Sequence, residues 1–264
     1  NARRVAVVAN VGPLVTPLTK ATYLAGSVAR PAKLFSHNDQ QSTWQTFAPE
    51  GANRGWGGRF ADALLSGNRN AMFSSMSISG SAVWLAGQTA KPYQMAPTGP
   101  VRIGGSTGLV YGSSVVQQRM QALMRSARNN QVLERDHAAV VSRSIDAEAL
   151  LSSGLPALTS GPWASTATPT TDPLLQYRDP ETGTNQYNPL AHQLQAVARS
   201  IAGRSTLGMS RQVFFVSLGG CDTHDNQPVN QARNLARLSQ AMKYFDQTLV
   251  SMGVSYWEVG NREV

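Results

Sequence analysis

The clearest hydrophobic pattern lies in the last third of the chain. Apolar residues recur at steps of three and four over residues 190–201, which predicts an amphipathic helix. The continuous apolar run at 212–217 (QVFFVS) predicts a strand buried on both faces. The same helical spacing returns at 235–249, in a second helix that begins near Pro228. The order helix, strand, loop, helix favours an α/β fold with a mostly parallel central sheet flanked by helices.

The rest of the chain gives weaker patterns. Residues 3–8 are rich in Val and Ala and predict a buried strand, whereas glycines and prolines divide residues 31–112 into loops and short elements. Residues 113–153 contain neither Gly nor Pro, so we predict one long helix or two consecutive helices. Residues 152–188 are rich in Ser, Thr, Pro and Gly and predict a long surface loop.

Composition narrows the class of protein. With 264 residues, of which 41% are hydrophobic, residues 1–264 are expected to form a single domain. No stretch approaches the roughly 18 apolar residues of a membrane span. The only cysteine, Cys221, excludes an internal disulfide and leaves the compartment open. The net charge is +8, but the arginines are dispersed, so we expect no nucleic-acid partner.

The first candidate site follows the predicted strand at 212–217. Ligands of open α/β sheets bind beyond the carboxyl ends of the strands, where Asp222 and His224 lie. A carboxylate and an imidazole two residues apart can converge on one divalent cation such as zinc, manganese or iron. Alternatively, Asp222 caps the following helix and His224 hydrogen-bonds a neighbouring loop.

A second candidate group is the polar cluster FSHNDQQ at residues 35–41. His37 and Asp39 are candidates for a catalytic acid and base, or for groups that orient metal ligands. The alternative is an Asx-type turn that enters a short helix. The other two histidines, His137 and His192, are expected at the surface or as packing residues. The chain lacks the G-x-S-x-G elbow of many serine hydrolases. It also lacks a Walker loop and a G-x-G-x-x-G motif after a strand, which disfavours nucleotide binding.

Five blocks of the sequence resemble, in order, those of a bacterial family of exported proteins, the domain of unknown function fifteen-oh-one. They are VAVVANVGPLVTPLTK, LFSHNDQQSTWQT, GWGGRFAD, NPLAHQLQAVARSIAGR and RQVFFVSLGGCDTHDNQ. The resemblance as a whole covers the chain from about Arg3 to about Val254. The family is grouped with the alkaline phosphatase and sulfatase superfamily. The resemblance implies an alkaline-phosphatase-like sheet, a periplasmic or extracellular location, and a divalent metal, which is zinc or else manganese or calcium. Asp222 and His224 match the family's D-T-H block and would be metal ligands.

Members of the family usually carry further ligand-bearing blocks. One glycine-rich block with an Asp precedes the region of resemblance, and S-E/D-F-G-R and G-x-D-H-G blocks follow it. The final segment SYWEVGNREV matches neither of the latter two. We therefore expect an incomplete domain that self-associates as a homo-oligomer, because a sheet without some of its strands exposes unpaired backbone and apolar surface.

Three hypotheses for the function follow. The leading one is a metal-dependent hydrolase of phosphate or sulfate esters, acting on a small-molecule or polymer substrate. The second is a metal-independent carboxylic-ester hydrolase that uses His37, Asp39 and a serine such as Ser36. The third is a non-catalytic exported binding or assembly protein on a degenerate hydrolase fold.

Overall fold

The computed structural model describes residues 12–128 and 131–254, and the strand expected at residues 3–8 lies outside them. In the described residues the chain forms seven α-helices and five short strands, connected by loops and 3₁₀ turns. In chain order they are α1 (Lys20–Ala25), α2 (His37–Thr46), α3 (Trp56–Leu64), β1 (Ser75–Ser77), β2 (Tyr93–Gln94), α4 (Ser114–Met124), α5 (Val132–Gly154), β3 (Gln176–Arg178), β4 (Asn185–Tyr187), α6 (Pro189–Ala202), β5 (Val213–Phe215) and α7 (Gln227–Ser251).

The main sheet is parallel, with the strand order β2–β1–β5. The mixed α/β class and the parallel pairing that the sequence predicts are therefore confirmed. The strand expected at 212–217 is present as β5, but it is half-buried at the edge of the described sheet rather than buried on both faces. The fully buried central strand is β1, with the sequence Ser-Met-Ser. An edge strand has one strand neighbour instead of two, which leaves β5 more exposed than its apolar sequence predicts.

Strand β1 places its side chains alternately on two faces of the sheet. Met76 lies in the main core with Leu151 of α5 and Val197 of α6. Ser75 lies on the opposite face, where its hydroxyl donates to the Leu85 carbonyl at 3.0 Å. The buried polar strand is stable because at least this hydroxyl has a hydrogen-bond partner in the core.

Helix α3 packs closely against the 3₁₀ turn Val83–Leu85 and the residues after it. A β-carbon on Gly58 would lie 2.1 Å from the Ala86 carbonyl carbon, and one on Gly55 would lie 2.3 Å from the Trp84 Cα. Both positions therefore require glycine for the helix to approach the backbone this closely. The partly exposed ring of Trp56 packs edge to face against the Trp84 ring, with 4.8 Å between the ring centres, which adds an aromatic contact to this packing.

The 113–153 prediction is confirmed as two consecutive helices, α4 and α5. The segment that follows differs from the surface loop predicted for 152–188. It contains two 3₁₀ turns and the antiparallel hairpin β3–β4, and it buries Trp163, Leu175 and Tyr177. The prediction of a surface loop was wrong because several polar side chains of this segment are buried, where they form hydrogen bonds with the backbone.

Helices α6 and α7 confirm the two helices predicted for the last third. Asn188 caps α6 by accepting from the Leu190 N–H at 3.1 Å. The buried face of α7 includes Ala241, Tyr244 and Leu249, whereas Leu235, Leu238 and Met242, from the predicted apolar stripe, are exposed. None of the helices in the described residues is both long enough and apolar enough to cross a membrane.

Candidate functional site

The loop at 216–226 leaves the carboxyl edge of the parallel sheet and leads into α7. Gln193 of α6 fixes its start, because the Gln193 amide accepts from the Ser217 N–H at 2.9 Å and donates to the Ser217 carbonyl at 3.0 Å. The hydroxyls of Ser217 and Ser79 are 2.5 Å apart and join the ends of β5 and β1. The loop therefore begins where ligands of parallel sheets bind.

The far side of the loop is tied to α7. The Asn234 amide donates to the Gly220 carbonyl at 2.5 Å, and the Asn230 amide donates to the Asp225 carbonyl at 3.1 Å. Gly220 has a φ of 83°, in the left-handed region that favours glycine. These contacts hold the backbone on both sides of Asp222 and His224.

The structure brings together three of the four side chains proposed from the sequence. One carboxylate oxygen of Asp222, Oδ2, lies 3.2 Å from His224 Nε2 and 4.0 Å from His37 Nδ1. His37 comes from the first turn of α2, so residues almost 190 positions apart in the sequence meet at one oxygen atom. All three side chains are largely exposed, and the cluster faces solvent.

The spacing within this cluster suits a metal ion only in part. Two ligand atoms about 2.1 Å from a tetrahedral zinc lie about 3.4 Å apart, and the Asp222–His224 distance is close to that value. The Asp222–His37 distance of 4.0 Å is longer, so His37 has to move inward to ligate the same ion. Among the described residues, no group of three or more His, Cys, Asp or Glu side chains is already arranged to hold a metal.

Asp39 does not join this cluster. Its carboxylate is buried, accepts from the Ser36 hydroxyl at 2.6 Å and from the Glu50 N–H at 2.9 Å, and lies 3.5 Å from Lys33 Nζ. Hydrogen bonds from Ser36 and Glu50 lower the pKa of Asp39 below its usual 3.8. Ser36 is the N-cap of α2, which is the turn that the sequence alternative describes.

This arrangement also bears on the expected serine nucleophile. The Ser36 hydroxyl donates to Asp39 instead of to His37, and within the described residues no hydrogen bond or ion pair links Asp39 to His37. A serine is activated when its hydroxyl donates to a histidine base that a third group orients. The contacts of Ser36 and Asp39 are those of a helix cap and a loop anchor.

A cleft of about 420 Å³ opens beside Asp222 and His224, between the loop and the first turns of α7. Thr223 and Asp225 line its loop side, and two arginines, Arg233 and Arg237, line its helix side. Charged groups of both signs therefore face the same open volume.

The two arginines differ in their partners. Arg233 donates from Nε to Asp179 Oδ2 at 2.9 Å and also pairs with Glu181, both in the loop of the β3–β4 hairpin. Burial raises the pKa of Asp179, but hydrogen bonds from the Thr182 and Glu181 N–H groups and from Arg233 outweigh it, so the pKa lies below 3.8. Arg233 thus connects the hairpin to α7, and two carboxylates balance its charge.

Arg237 lies one turn further along α7. Its guanidinium is 5.2 Å from the centre of the Tyr177 ring, and its Nη1 donates to Asn234 Oδ1 at 3.3 Å. Arg237 Nε is buried and has no hydrogen-bond acceptor among the described residues. Among the described residues, Arg233 forms ion pairs with two carboxylates and Arg237 forms none.

The helix side of the cleft was not among the candidates predicted from the sequence. Asn230, Arg233, Asn234 and Arg237 are spaced by three and four residues, so they share one face of α7. This polar stripe directly follows the D-T-H loop, and a pattern of this kind predicts the helix side of the cleft. The apolar positions at 235–249 form a stronger pattern on the same helix.

The two remaining histidines lie at the surface or pack in the fold, as expected, but the buried Nε2 atom of His192 has no hydrogen-bond partner among the described residues. His137 is exposed on α5. His192 is a buried packing residue of α6, with Nδ1 2.5 Å from the Tyr187 hydroxyl, and burial lowers the pKa of His192 below 6.5.

The carboxyl edge of the sheet thus combines an Asp–His pair, a second histidine and an arginine-lined cleft. A carboxylate and imidazoles are ligands for a divalent cation, and an arginine binds anionic ester groups. Comparisons of the chain with protein-family models, with curated proteins and with solved structures found no match.

Proposed function

We propose that the protein is a divalent-metal-dependent hydrolase of phosphate or sulfate esters with an alkaline-phosphatase-like arrangement of its sheet. The observation that carries this proposal is the convergence of His224 and His37 on one oxygen of Asp222. Two imidazoles and a carboxylate form the ligand set of many hydrolytic zinc sites. The resemblance of the sequence blocks to the exported family supports the same assignment.

Each group has a role in this proposal. Asp222 and His224 hold the metal, which is zinc or else manganese or calcium, and His37 completes the ligand set or orients Asp222. A bound divalent metal supplies Lewis-acid polarisation of the ester and lowers the pKa of a bound water. Asp39 acts as a positioning residue, because it anchors the N-terminus of α2 and with it the backbone of His37.

The open cleft suits the terminal ester group of a polymer as well as a small molecule. His224 and Asp222 are more than two thirds exposed, so a large substrate reaches them directly. We place the protein in the periplasm or outside the cell on the resemblance to exported proteins. Cell fractionation of the source organism with an antibody against the chain tests this location, and a cytoplasmic signal alone contradicts it.

The experiment that tests the proposed activity combines metal analysis with two chromogenic substrates. Purified protein is loaded with zinc, manganese or calcium and assayed with p-nitrophenyl phosphate and p-nitrophenyl sulfate. We expect turnover that a chelator abolishes and that the metal restores. Asp222→Asn and His224→Ala are expected to remove both the bound metal and the turnover, because each deletes one ligand.

Matched controls come from α5. Asp136→Asn and His137→Ala make the same chemical changes at exposed positions and are expected to leave metal content and turnover unchanged. Turnover that survives the chelator in wild-type protein, or that survives both site substitutions, contradicts the proposal.

A further inference from the structure

Helix α4 is attached to the rest of the fold in an unusual orientation. None of its residues is buried, and its half-buried positions are the polar Gln117 and Gln121. Val116, Met120 and Leu123 are spaced by four and three residues, so they form one apolar face of the helix, and all three are exposed. An amphipathic helix of a globular fold normally turns its apolar face toward the core. Among the described residues, this face of α4 is open to solvent.

Polar contacts fix both ends of α4. The Ser113 hydroxyl caps the helix by accepting from a backbone N–H of the first turn at 3.3 Å. Arg125, directly after the helix, donates to Asp146 of α5 at 2.7 Å. The Glu134 carboxylate, also on α5, accepts from the Arg128 N–H at 2.6 Å. These contacts position the helix without covering its apolar face.

Further large apolar side chains close to this face in the sequence are exposed. Within α4, Val115 and Met124 are exposed as well. Outside the helix, Tyr111 is 97% exposed and Leu133 of α5 is 84% exposed. Large exposed apolar patches on folded proteins mark sites that bind another protein or a membrane, and tyrosine is enriched at the boundary between membrane and water. The region around α4 therefore has the composition of an interaction surface.

The charge of this region indicates the kind of partner. Residues 63–133 contain six Arg or Lys residues and neither Asp nor Glu. Two of the six, Arg102 and Arg125, form ion pairs with carboxylates of α5. Arg119 and Arg128 are exposed and belong to none of the ion pairs among the described residues. A partner that covers α4 therefore has to combine negative charge with apolar surface.

From these observations we propose that α4 binds the surface of a membrane that contains anionic phospholipids. The helix lies in the plane of the interface, with its apolar face among the acyl chains and Arg119 at the level of the lipid phosphates. A second copy of the chain fits this face less well, because a two-fold contact brings the arginines of both copies together. Attachment of this kind needs no membrane-spanning helix, and it does not depend on the proposed hydrolase activity.

Vesicle flotation of the full chain tests the proposal. Vesicles of pure phosphatidylcholine are compared with vesicles that contain equimolar phosphatidylglycerol and phosphatidylcholine. We expect the protein to float with the anionic vesicles at low salt and much less with pure phosphatidylcholine, because only the former attract the arginines. Added salt is expected to release part of the bound protein, since it screens this attraction.

Two substitutions on α4 separate the apolar contribution from the electrostatic one. Leu123→Gln is expected to weaken binding to the anionic vesicles about tenfold, because it removes one inserted apolar side chain. Arg119→Gln should weaken the same binding about fivefold, which is the effect of one basic residue near an anionic surface.

Matched controls come from two other helices. Leu24→Gln on α1 and Arg59→Gln on α3 make the same chemical changes at exposed positions and should leave binding nearly unchanged. Arg59→Gln lowers the net charge by as much as Arg119→Gln does, so it separates a local effect at α4 from the attraction of the whole positively charged chain. Circular dichroism of each variant verifies that the fold is retained.

The outcomes separate the proposal from its alternatives. Selective binding to anionic vesicles that both α4 substitutions weaken, with unchanged binding in the controls, supports it. Absence of binding to the anionic vesicles, equal binding to both kinds of vesicle, or an equal loss in Arg59→Gln and Arg119→Gln overturns it. A wild-type dimer that Leu123→Gln dissociates shows that α4 contacts a second copy of the chain, and this result overturns it too.

Discussion

Asp172 offers a direct test of how the 152–188 segment is held in the fold. Its carboxylate is fully buried and accepts four hydrogen bonds. Oδ2 accepts from the N–H groups of Ser165 at 2.8 Å and Thr166 at 3.1 Å. Oδ1 accepts from the Ser165 hydroxyl at 2.5 Å and the Leu174 N–H at 2.9 Å. This cluster fixes the backbone that leads into the β3–β4 hairpin.

Asp172→Asn keeps the shape of the side chain and replaces one oxygen by an NH₂ group. The less costly orientation places the NH₂ group at the Oδ1 position, because the Ser165 hydroxyl can rotate to accept while only the Leu174 N–H loses its acceptor. One buried donor without a partner costs about 1–3 kcal/mol, and the other bonds lose the strength that the charge gave them. We therefore expect the free energy of unfolding to fall by about 2–4 kcal/mol.

The measurement is urea unfolding followed by tryptophan fluorescence, with Asp136→Asn as the matched control. Asp136 is exposed on α5, so the control should remain within about 0.5 kcal/mol of wild type. A loss of less than about 0.5 kcal/mol in Asp172→Asn refutes the assignment of this cluster as a structural anchor.

The same carboxylate predicts acid sensitivity. Burial raises the pKa of Asp172, but hydrogen bonds from Ser165, Leu174 and Thr166 outweigh it and hold the pKa below 3.8. The folded state therefore binds this proton less readily than the unfolded state. The stabilising contribution is present above pH 3.8 and is lost as the pH falls through the folded pKa. In Asp172→Asn, the free energy of unfolding should therefore depend less on pH in that acidic range than it does in the wild type.

Three further predictions concern other parts of the fold. Burial lowers the pKa of His192 below 6.5, so the unfolded state takes up the proton first and the free energy of unfolding should decline as the pH falls below 6.5. His192→Gln should therefore reduce the change in the urea midpoint between about pH 7.5 and 5.5. Gly58→Ala should destabilise the protein by about 3 kcal/mol because its β-carbon overlaps the Ala86 backbone, whereas Gly67→Ala meets no atom closer than 4.0 Å and should be tolerated in the same thermal melts. Self-association stays a prediction, and the exposed Leu235 and Leu238 support it: light scattering should find a dimer that Leu238→Lys weakens, and a wild-type monomer contradicts it.

The sequence predicts the helical part of this fold well because apolar spacing reports helix faces directly. It predicts α5, α6 and α7 and the parallel strand β5. It does not predict β1 as the central strand, since Ser-Met-Ser lacks the apolar run typical of a buried strand. The stability of β1 depends on the position of the Leu85 carbonyl, which no local pattern in the sequence reveals.

The candidate site is only partly visible in the sequence for a similar reason. Asp222 and His224 lie two residues apart in a loop after a strand, and this spacing together with the family resemblance makes them candidates. The pairing of Asp39 with Ser36 and with the Glu50 backbone depends on a chain reversal after α2, so the sequence does not separate its structural role from a catalytic one. Arg233 and Arg237 look alike in the sequence, and only the position of the β3–β4 hairpin gives Arg233 its two carboxylate partners.

The central claim of this account is that Asp222, His224 and His37 form one metal site. Calorimetric titration of metal-free protein with zinc tests it most directly. We predict one zinc per chain, with affinity reduced about tenfold or more in His37→Ala as well as in Asp222→Asn, and unchanged in His137→Ala. Zinc binding that is absent in wild-type protein, or that is equally tight in all three variants, contradicts the claim.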